Sequence, residues 1–436
     1  MTRLDSLIRV CSVGIAVVAI GSCGGDGLDG VQTKRTLAVT TAVSGPSAVS
    51  TAAGGHHTCA ITNGGGAKCW GWNAHFELGD GTMTDRWTPV DTVGLASGVS
   101  ALAPGWYHTC ALTDGGGIKC WGDNSFGQIG DGLSSSYYRP TPADVVGLSS
   151  GAVAVAPGYG HTCAVTRSGG AKCWGRNRDG ELGDGTLTTR ATPVDVVGLS
   201  GGVTAIAAGT GHTCALTSAG GVKCWGGNYA GDLGDGTTIS RPTPVDVVGL
   251  SSGVTAIGAG WAHSCALTSG GGVRCWGYNS NGQLGDGTTA SRMTPVNVVG
   301  LSSGVLAIAV GGHHTCALTN AGGVKCWGSN GNGQLGDGTP VNRLTPVDVV
   351  GLSSGVAAVS GGAGHTCALT GGGAIKCWGS NGNGQLGDGT PVSRMTPEDV
   401  VGFVANEATN LENPYPGAPV SGIGLVSGWT CMSGVV

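Results

Sequence analysis

Read for polarity, residues 253–300 break into four short apolar stretches separated by glycine-rich turns. Gly253 to Gly258 (GVTAIG) alternates apolar and small residues and predicts a strand, and Gly260-Trp261-Ala262-His263 forms a loop. His263 to Thr268 (HSCALT) predicts a second strand, Ser269 to Gly272 (SGGG) a tight turn, and Val273 to Gly277 (VRCWG) a third strand. The connection YNSNGQLGDGTTASRMTP is rich in turn formers, and Val296 to Gly300 (VNVVG) predicts the fourth strand. No segment sustains a 3.6-residue period, so no helix is expected.

The same pattern occurs seven times, and the first cysteine of each copy recurs every 51 residues, with one step of 53. Four short strands in each unit of about 50 residues mark a propeller blade rather than a helical solenoid. The fold class expected is therefore all-β, a propeller of four-stranded antiparallel blades. Each copy holds two cysteines with nine residues between them: Cys59 and Cys69, Cys110 and Cys120, Cys163 and Cys173, Cys214 and Cys224, Cys265 and Cys275, Cys316 and Cys326, and Cys367 and Cys377. If the hairpin pairs Ala266 with Arg274 and Leu267 with Val273, the two cysteines fall opposite each other within disulfide range. That spacing lacks the close ligand pairs of zinc modules, and no metal or cofactor is expected.

Charged residues are only 11% of the chain and the formal charge is −5, or about −6 once residues 1–22, which carry Arg3, Arg9 and Asp5, are set aside. An acidic chain with no basic run is poorly suited to phosphate backbones, so no nucleic-acid partner is expected. Residues 1–22 combine Arg3 and Arg9 with an apolar run from Val10 to Ile20, which fits the apolar core of a signal peptide and is too short to span a bilayer. Ile20-Gly21-Ser22-Cys23 resembles a bacterial lipobox, which would lipidate Cys23 and make that lipid the only membrane attachment. Residues 23–46 then read as a flexible tether, 47–402 as the repeats, and 403–436 as a tail in which Ile423 to Cys431 adds to the closing blade. Cys11 leaves with the signal peptide, so Cys431 is the unpaired thiol. The location expected is extracytoplasmic, a secreted protein or an envelope lipoprotein, where disulfides persist.

A GxxH element before an apolar strand and an NxxGQLGDGT element after it, as in Asn279 to Thr288 and again in Asn330 to Thr339, resemble the RCC1 (regulator of chromosome condensation) repeat. The resemblance covers about Ala48 to Gly402, and seven copies imply a seven-bladed β-propeller. Cytoplasmic members carry an ordinary apolar residue at the positions of Cys265 and its equivalents, a departure that fits an exported bacterial branch. Two precedents bear on function. The best-known eukaryotic member exchanges nucleotide on a small GTPase, which implies an insertion that these repeats lack; a secreted bacterial RCC1-like propeller binds an enzyme through loop aromatics, which implies a protein-binding rim.

Residues repeated in every blade read as architecture: the histidines (His57, His108, His161, His212, His263, His314, His365) as hydrogen-bonding posts between blades, the tryptophans as packing, and the Asp of each GDGT as a turn former. Function belongs where the copies disagree. The loops after the first and third strands emerge on one face and hold most of the remaining aromatics: Trp72, Phe76, Trp106, Tyr107, Phe126, Tyr159, Tyr229, Trp261 and Tyr278. With Arg176, Arg178, Asp123 and Asp179 at their rim and Tyr137 and Tyr138 extending the patch, they compose a contact surface for a protein or glycan partner. The chain is expected to act as a monomeric binding module. A polysaccharide hydrolase or lyase is the alternative, with His75 and Glu77, or Glu181 and Asp232, as its acid–base pair.

Overall fold

The computed structural model describes residues 47–133 and 137–403. The leader, Cys23, the tether and the Ile423 to Cys431 segment lie outside these residues. Every regular element described is a strand, and the strands form seven four-stranded antiparallel sheets, each in sequence order, over residues 48–91, 99–144, 152–195, 203–246, 254–297, 305–348 and 356–399. They are blades one to seven of a propeller.

Blade five shows how the sequence builds each sheet. Its strands are Val254–Ala259, His263–Thr268, Val273–Gly277 and Arg292–Asn297. The second and third pair Ala266 with Arg274 and Leu267 with Val273, which sets Cys265 opposite Cys275. The same register recurs in every blade. Cys59 is joined to Cys69, Cys110 to Cys120, Cys163 to Cys173 and Cys214 to Cys224, each with a Cα–Cα distance of 4.1 Å. Cys265 to Cys275, Cys316 to Cys326 and Cys367 to Cys377 complete the seven disulfides at the same 4.1 Å. All fourteen cysteines of the repeats are thus paired within their own blade, as the hairpin register requires.

The fourth strand differs from the expectation. It is RMTPVN rather than VNVVG: Val296 lies opposite Cys275 and Arg292 opposite Gly277, while Val298 to Gly300 turn away and Val298 N–H bonds the Val273 carbonyl. The strand tolerates Pro295 because it is the outermost of its sheet and needs no partner beyond it. Its leading arginine is held by the GDGT aspartate, Arg292 Nε donating to Asp286 Oδ2 at 2.9 Å. That aspartate also accepts from the Thr288 amide and hydroxyl and from Asn279 Nδ2. Burial alone would raise Asp286, but these donors outweigh it and hold the carboxyl below its ordinary value.

The core lies between blades rather than within them. Each of seven apolar clusters joins one blade's disulfide, leucines and valines to the fully buried tryptophan of the next, as Leu335, Val349 and Leu352 of blade six surround Trp378. Closure uses the same contact, with Trp70, Ala60 and Ala48 of blade one against Leu386, Val400 and Phe403 of blade seven. Val400 thus packs beside Ala48 as closure requires, whereas Val401 remains half exposed.

Candidate functional site

Polar closure of the ring follows from three repeated residues. In each blade the backbone carbonyl at the Gln/Glu/Asp position before the GDGT turn accepts two bonds from the next blade: Gln283 O takes Thr315 Oγ1 at 3.0 Å and Trp327 Nε1 at 2.9 Å. Thr315 Oγ1 is itself 3.0 Å from His263 Nε2. Because the hydroxyl gives its only proton to the carbonyl, the histidine must donate, so Nε2 carries the ring proton. The histidine-to-hydroxyl contact repeats around all seven blades and closes from His365 to Thr58. Burial, reinforced by neighbouring histidines in most blades, drives the seven rings down to about 3, or about 4 for His212, so they stay neutral.

Above the histidines, one glycine per blade meets its neighbour around the axis. A Cβ on Gly209 would lie 2.5 Å from both the Gly260 carbonyl oxygen and His212 Cε1, so no other residue fits. The residue after each axial glycine donates its N–H to the next blade: Trp106 to Gly158 O at 3.2 Å, Tyr159 to Gly209 O at 3.3 Å, and Trp261 to Gly312 O at 3.1 Å. The loop aromatics therefore stand on anchored backbone.

Seven of the nine predicted aromatics join through ring contacts into one crown. Trp72 meets Tyr107 at 5.4 Å between centroids, Tyr107 meets Tyr159 at 5.2 Å, Tyr159 meets Trp106 at 6.2 Å, and Trp106 meets Trp261 at 5.8 Å. Tyr278 is reached from Trp261 through His313, at 4.4 and 6.1 Å. His56 bridges Trp72 and Trp106, and His75 touches Trp72 and Tyr107 and stacks on Tyr138, which in turn meets Phe76. His56 and His313 were not singled out from the sequence; each precedes the repeated histidine, so a doubled histidine was the available signal. Phe76 stands where the other blades carry glycine and has φ +67°, the sole non-glycine in the left-handed region among the described residues.

The other predicted residues have separate duties. Phe126 covers Gly160, where a Cβ would come within 2.9 Å of its ring. Tyr229, 75% exposed, stands apart and donates its hydroxyl to Asp179 Oδ1 at 2.6 Å. Arg176 bridges Glu181 at 2.5 Å and Asp179 at 2.9 Å.

The two candidate acid–base pairs resolve differently. His75 Nδ1 is 3.1 Å from Glu77 Oε1, and that hydrogen bond raises the imidazole against the opposing effect of burial. Burial raises Glu181 while its own amide and then the Arg176 charge oppose the shift; the carboxylate is engaged by Arg176 and the Asp179 amide. Asp232 has no arginine and only a long amide contact, 3.5 Å from Ala230 N to Oδ2: Oδ1 is buried and unbonded, and burial pushes the carboxyl up to about 7. Among the described residues no three His, Cys, Asp or Glu side chains gather to hold a metal ion.

Known proteins share this architecture. Residues 131–413 match the RCC1-like domain, and residues 48–77 and 99–128 match the regulator of chromosome condensation (RCC1) repeat. The chain is 32% identical over 353 residues to the ultraviolet-B receptor UVR8 of Arabidopsis thaliana, covering 79% of this chain and 80% of the receptor. It is 33% identical to the E3 ubiquitin-protein ligase HERC2 of Homo sapiens over 78% of this chain but only 7% of the ligase. Among solved structures it is similar to Prp20p of Saccharomyces cerevisiae, with a TM-score of 0.69 and 24% identity over 78% of this chain and 86% of that one. These relatives are eukaryotic and lend no support to the expected bacterial branch. Seven blades, their histidine ring and these matches together establish that the chain belongs to the RCC1-like domain family.

Proposed function

We propose that this propeller is a protein-binding module that engages its partner through the aromatic crown of blades one, two, three, five and six. The carrying observation is the unbroken run of ring contacts from Phe76 and Tyr138 to Tyr278 on one face. Stiff aromatics lose little side-chain entropy on binding and combine apolar area with polar edges, the composition of interface hot spots. Blades six and seven carry Gly, Ser and Asn in the third-strand loop instead, so the crown is lopsided and would fix the partner's orientation. Yeast RCC1, which shares this fold, has been solved bound to a protein partner, Kap60.

The working location is outside the cytoplasm. Seven disulfides belong to an oxidising compartment, and the apolar leader with Cys23 at its end supplies a route there and a lipid tether.

The test is affinity capture from the native envelope with the full chain, followed by a binding isotherm on the identified protein. The triple variant Trp72→Ala, Trp106→Ala, Tyr159→Ala is expected to weaken that isotherm by at least about a hundredfold while the melting temperature stays within a few degrees. An unchanged isotherm would remove the crown from the function.

A further inference from the structure

Blade four interrupts the crown. Where blades one, two, five and six place His56, Trp106 with Tyr107, Trp261 and His313 ahead of the repeated histidine, blade four has Thr210 and Gly211. Where blades one and five carry Trp72 and Tyr278 after the Trp-Gly pair, blade four has Gly227. The missing side chains leave a cleft of about 790 Å³, walled by Arg176, Asp179, Tyr229, Trp261 and Tyr278, with Asp232 in its lining.

The repeat explains why Asp232 lacks a partner. In blades two, six and seven the glutamine at this position extends its amide to the side chain five residues earlier: Gln128 to Asp123 at 2.8 Å, Gln334 to Ser329 and Gln385 to Ser380, both at 3.2 Å. Glu181 reaches Arg176 over the same interval. Five residues before Asp232 is Gly227, and the aspartate is one methylene shorter than glutamine. Its Oδ2 keeps one long contact, 3.5 Å from the Ala230 amide, and its Oδ1 has none although the residue is only 4% exposed. Thr210 Oγ1, in the lining of the same cleft, is also buried without a partner.

Leaving a buried polar atom unbonded is costly, and two in one cavity point to a ligand that completes them. Charge narrows the ligand. Arg176, the one Lys or Arg in the lining, is engaged by Glu181 at 2.5 Å and by Asp179 at 2.9 Å, so the cleft offers no unpaired cation to an anionic ligand. A hydroxyl both donates and accepts, and so suits Asp232 in either protonation state as well as Thr210. Trp261 and Tyr278 offer apolar area beside these polar points, the mixture expected of a small-molecule site.

We infer that the cleft of blade four binds a neutral polyhydroxylated ring, the chemistry of a sugar residue in a glycan, with its hydroxyls at Asp232 and Thr210 and its apolar face at Trp261 and Tyr278. The cleft shares Trp261 and Tyr278 with the protein-binding crown, but Trp72, Trp106 and Tyr159 lie outside its lining.

The test is calorimetric titration of the full chain with neutral oligosaccharides: β-1,4-glucan, α-1,4-glucan, β-1,4-mannan and β-1,4-linked N-acetylglucosamine. At least one series is expected to bind. Gly211→Leu places its Cβ in open space on a backbone outside the left-handed region, so it obstructs the cleft without straining the fold. It should weaken binding at least tenfold with unchanged melting. Asp232→Ala should weaken binding by as much, whereas Asp232→Asn, which keeps a donor and an acceptor, should stay within about threefold. The triple crown variant should bind the oligosaccharide like the parent, which separates failure here from failure of the protein-binding function. Absence of binding by every series, affinity that survives both Gly211→Leu and Asp232→Ala, or tight binding of tetramethylammonium in place of the sugars would overturn the assignment.

Discussion

At the scale of single residues, blades that differ by one methyl group act as controls for one another. The histidine of blade four bonds Ser264 Oγ at 2.9 Å where the other six bond threonine, so the ring needs the hydroxyl and not the methyl. Thr315→Ser is therefore expected to cost under about 1 kcal/mol, while Thr315→Val, which strands the His263 N–H and leaves Gln283 O one donor fewer, should cost about 1–3 kcal/mol. Urea titration of the two variants checks both, and equal losses would deny the hydroxyl its role. Phe76 offers the opposite case. Its left-handed backbone stores about 1–2 kcal/mol that glycine would release. Phe76→Gly should thus hold or raise the urea midpoint, despite losing the ring's contact with Tyr138. Both positions were legible in the sequence, one as a Ser among threonines and the other as NAHF among NxxG copies. The orphan status of Asp232 was legible too, in the coincidence of Asp232 with Gly227, but only once the five-residue reach of Gln128 and its equivalents was visible in three dimensions.

At the scale of the element, the second and third strands were the most readable because alternation, a glycine turn and paired cysteines all demanded one register. The outer strand was misplaced by four residues because VNVVG is the more apolar string. Apolarity there serves a turn whose Val298 is buried, while the pairing falls to a polar edge, RMTPVN, pinned by Arg292 to Asp286. Local pattern cannot reveal a strand whose register is set by an ion pair to a preceding turn. That pin carries its own expectation: Asp286→Ala frees Arg292, two amide or hydroxyl donors from Thr288 and one from Asn279, and should loosen the outer strand before the rest of the blade, read as faster amide exchange at Met293 to Val296. The hairpin inside it is held differently. Replacing Cys265 and Cys275 together by alanine releases a short loop and should cost about 3 kcal/mol in chemical denaturation. If this pair and its equivalents prove free under non-reducing conditions, the staple has no energetic role.

At the scale of the whole molecule, the seven histidines form one titrating unit because each lies inside the ring that closes the propeller. Their pKa falls from an unfolded value of 6.5 to about 3, or about 4 for His212, so the unfolded chain binds up to seven more protons than the folded one between those limits. A depressed histidine pKa contributes stability that is fully present above 6.5 and is lost as pH falls toward the folded value. At pH 5 the loss is about 2 kcal/mol per histidine, or about 14 kcal/mol for the ring, comparable with the entire stability of an ordinary domain. Asp232 works in the other direction: its folded pKa of about 7 returns about 3 kcal/mol over the same interval, and the raised Glu77 and Glu181 add to that return. The GDGT carboxyls, held low by Thr, Arg and Asn donors, lose their contribution only in stronger acid and leave this window untouched. The balance still favours acid unfolding, and the disulfides slow it without changing its sign. Melting measured under non-reducing conditions should therefore be level from pH 8 to 7 and fall steeply from 6.5 to 5, by far more than any single buried histidine allows. A flat profile across that range would mean that the rings accept protons in place and that neutral histidine is not what closes the propeller.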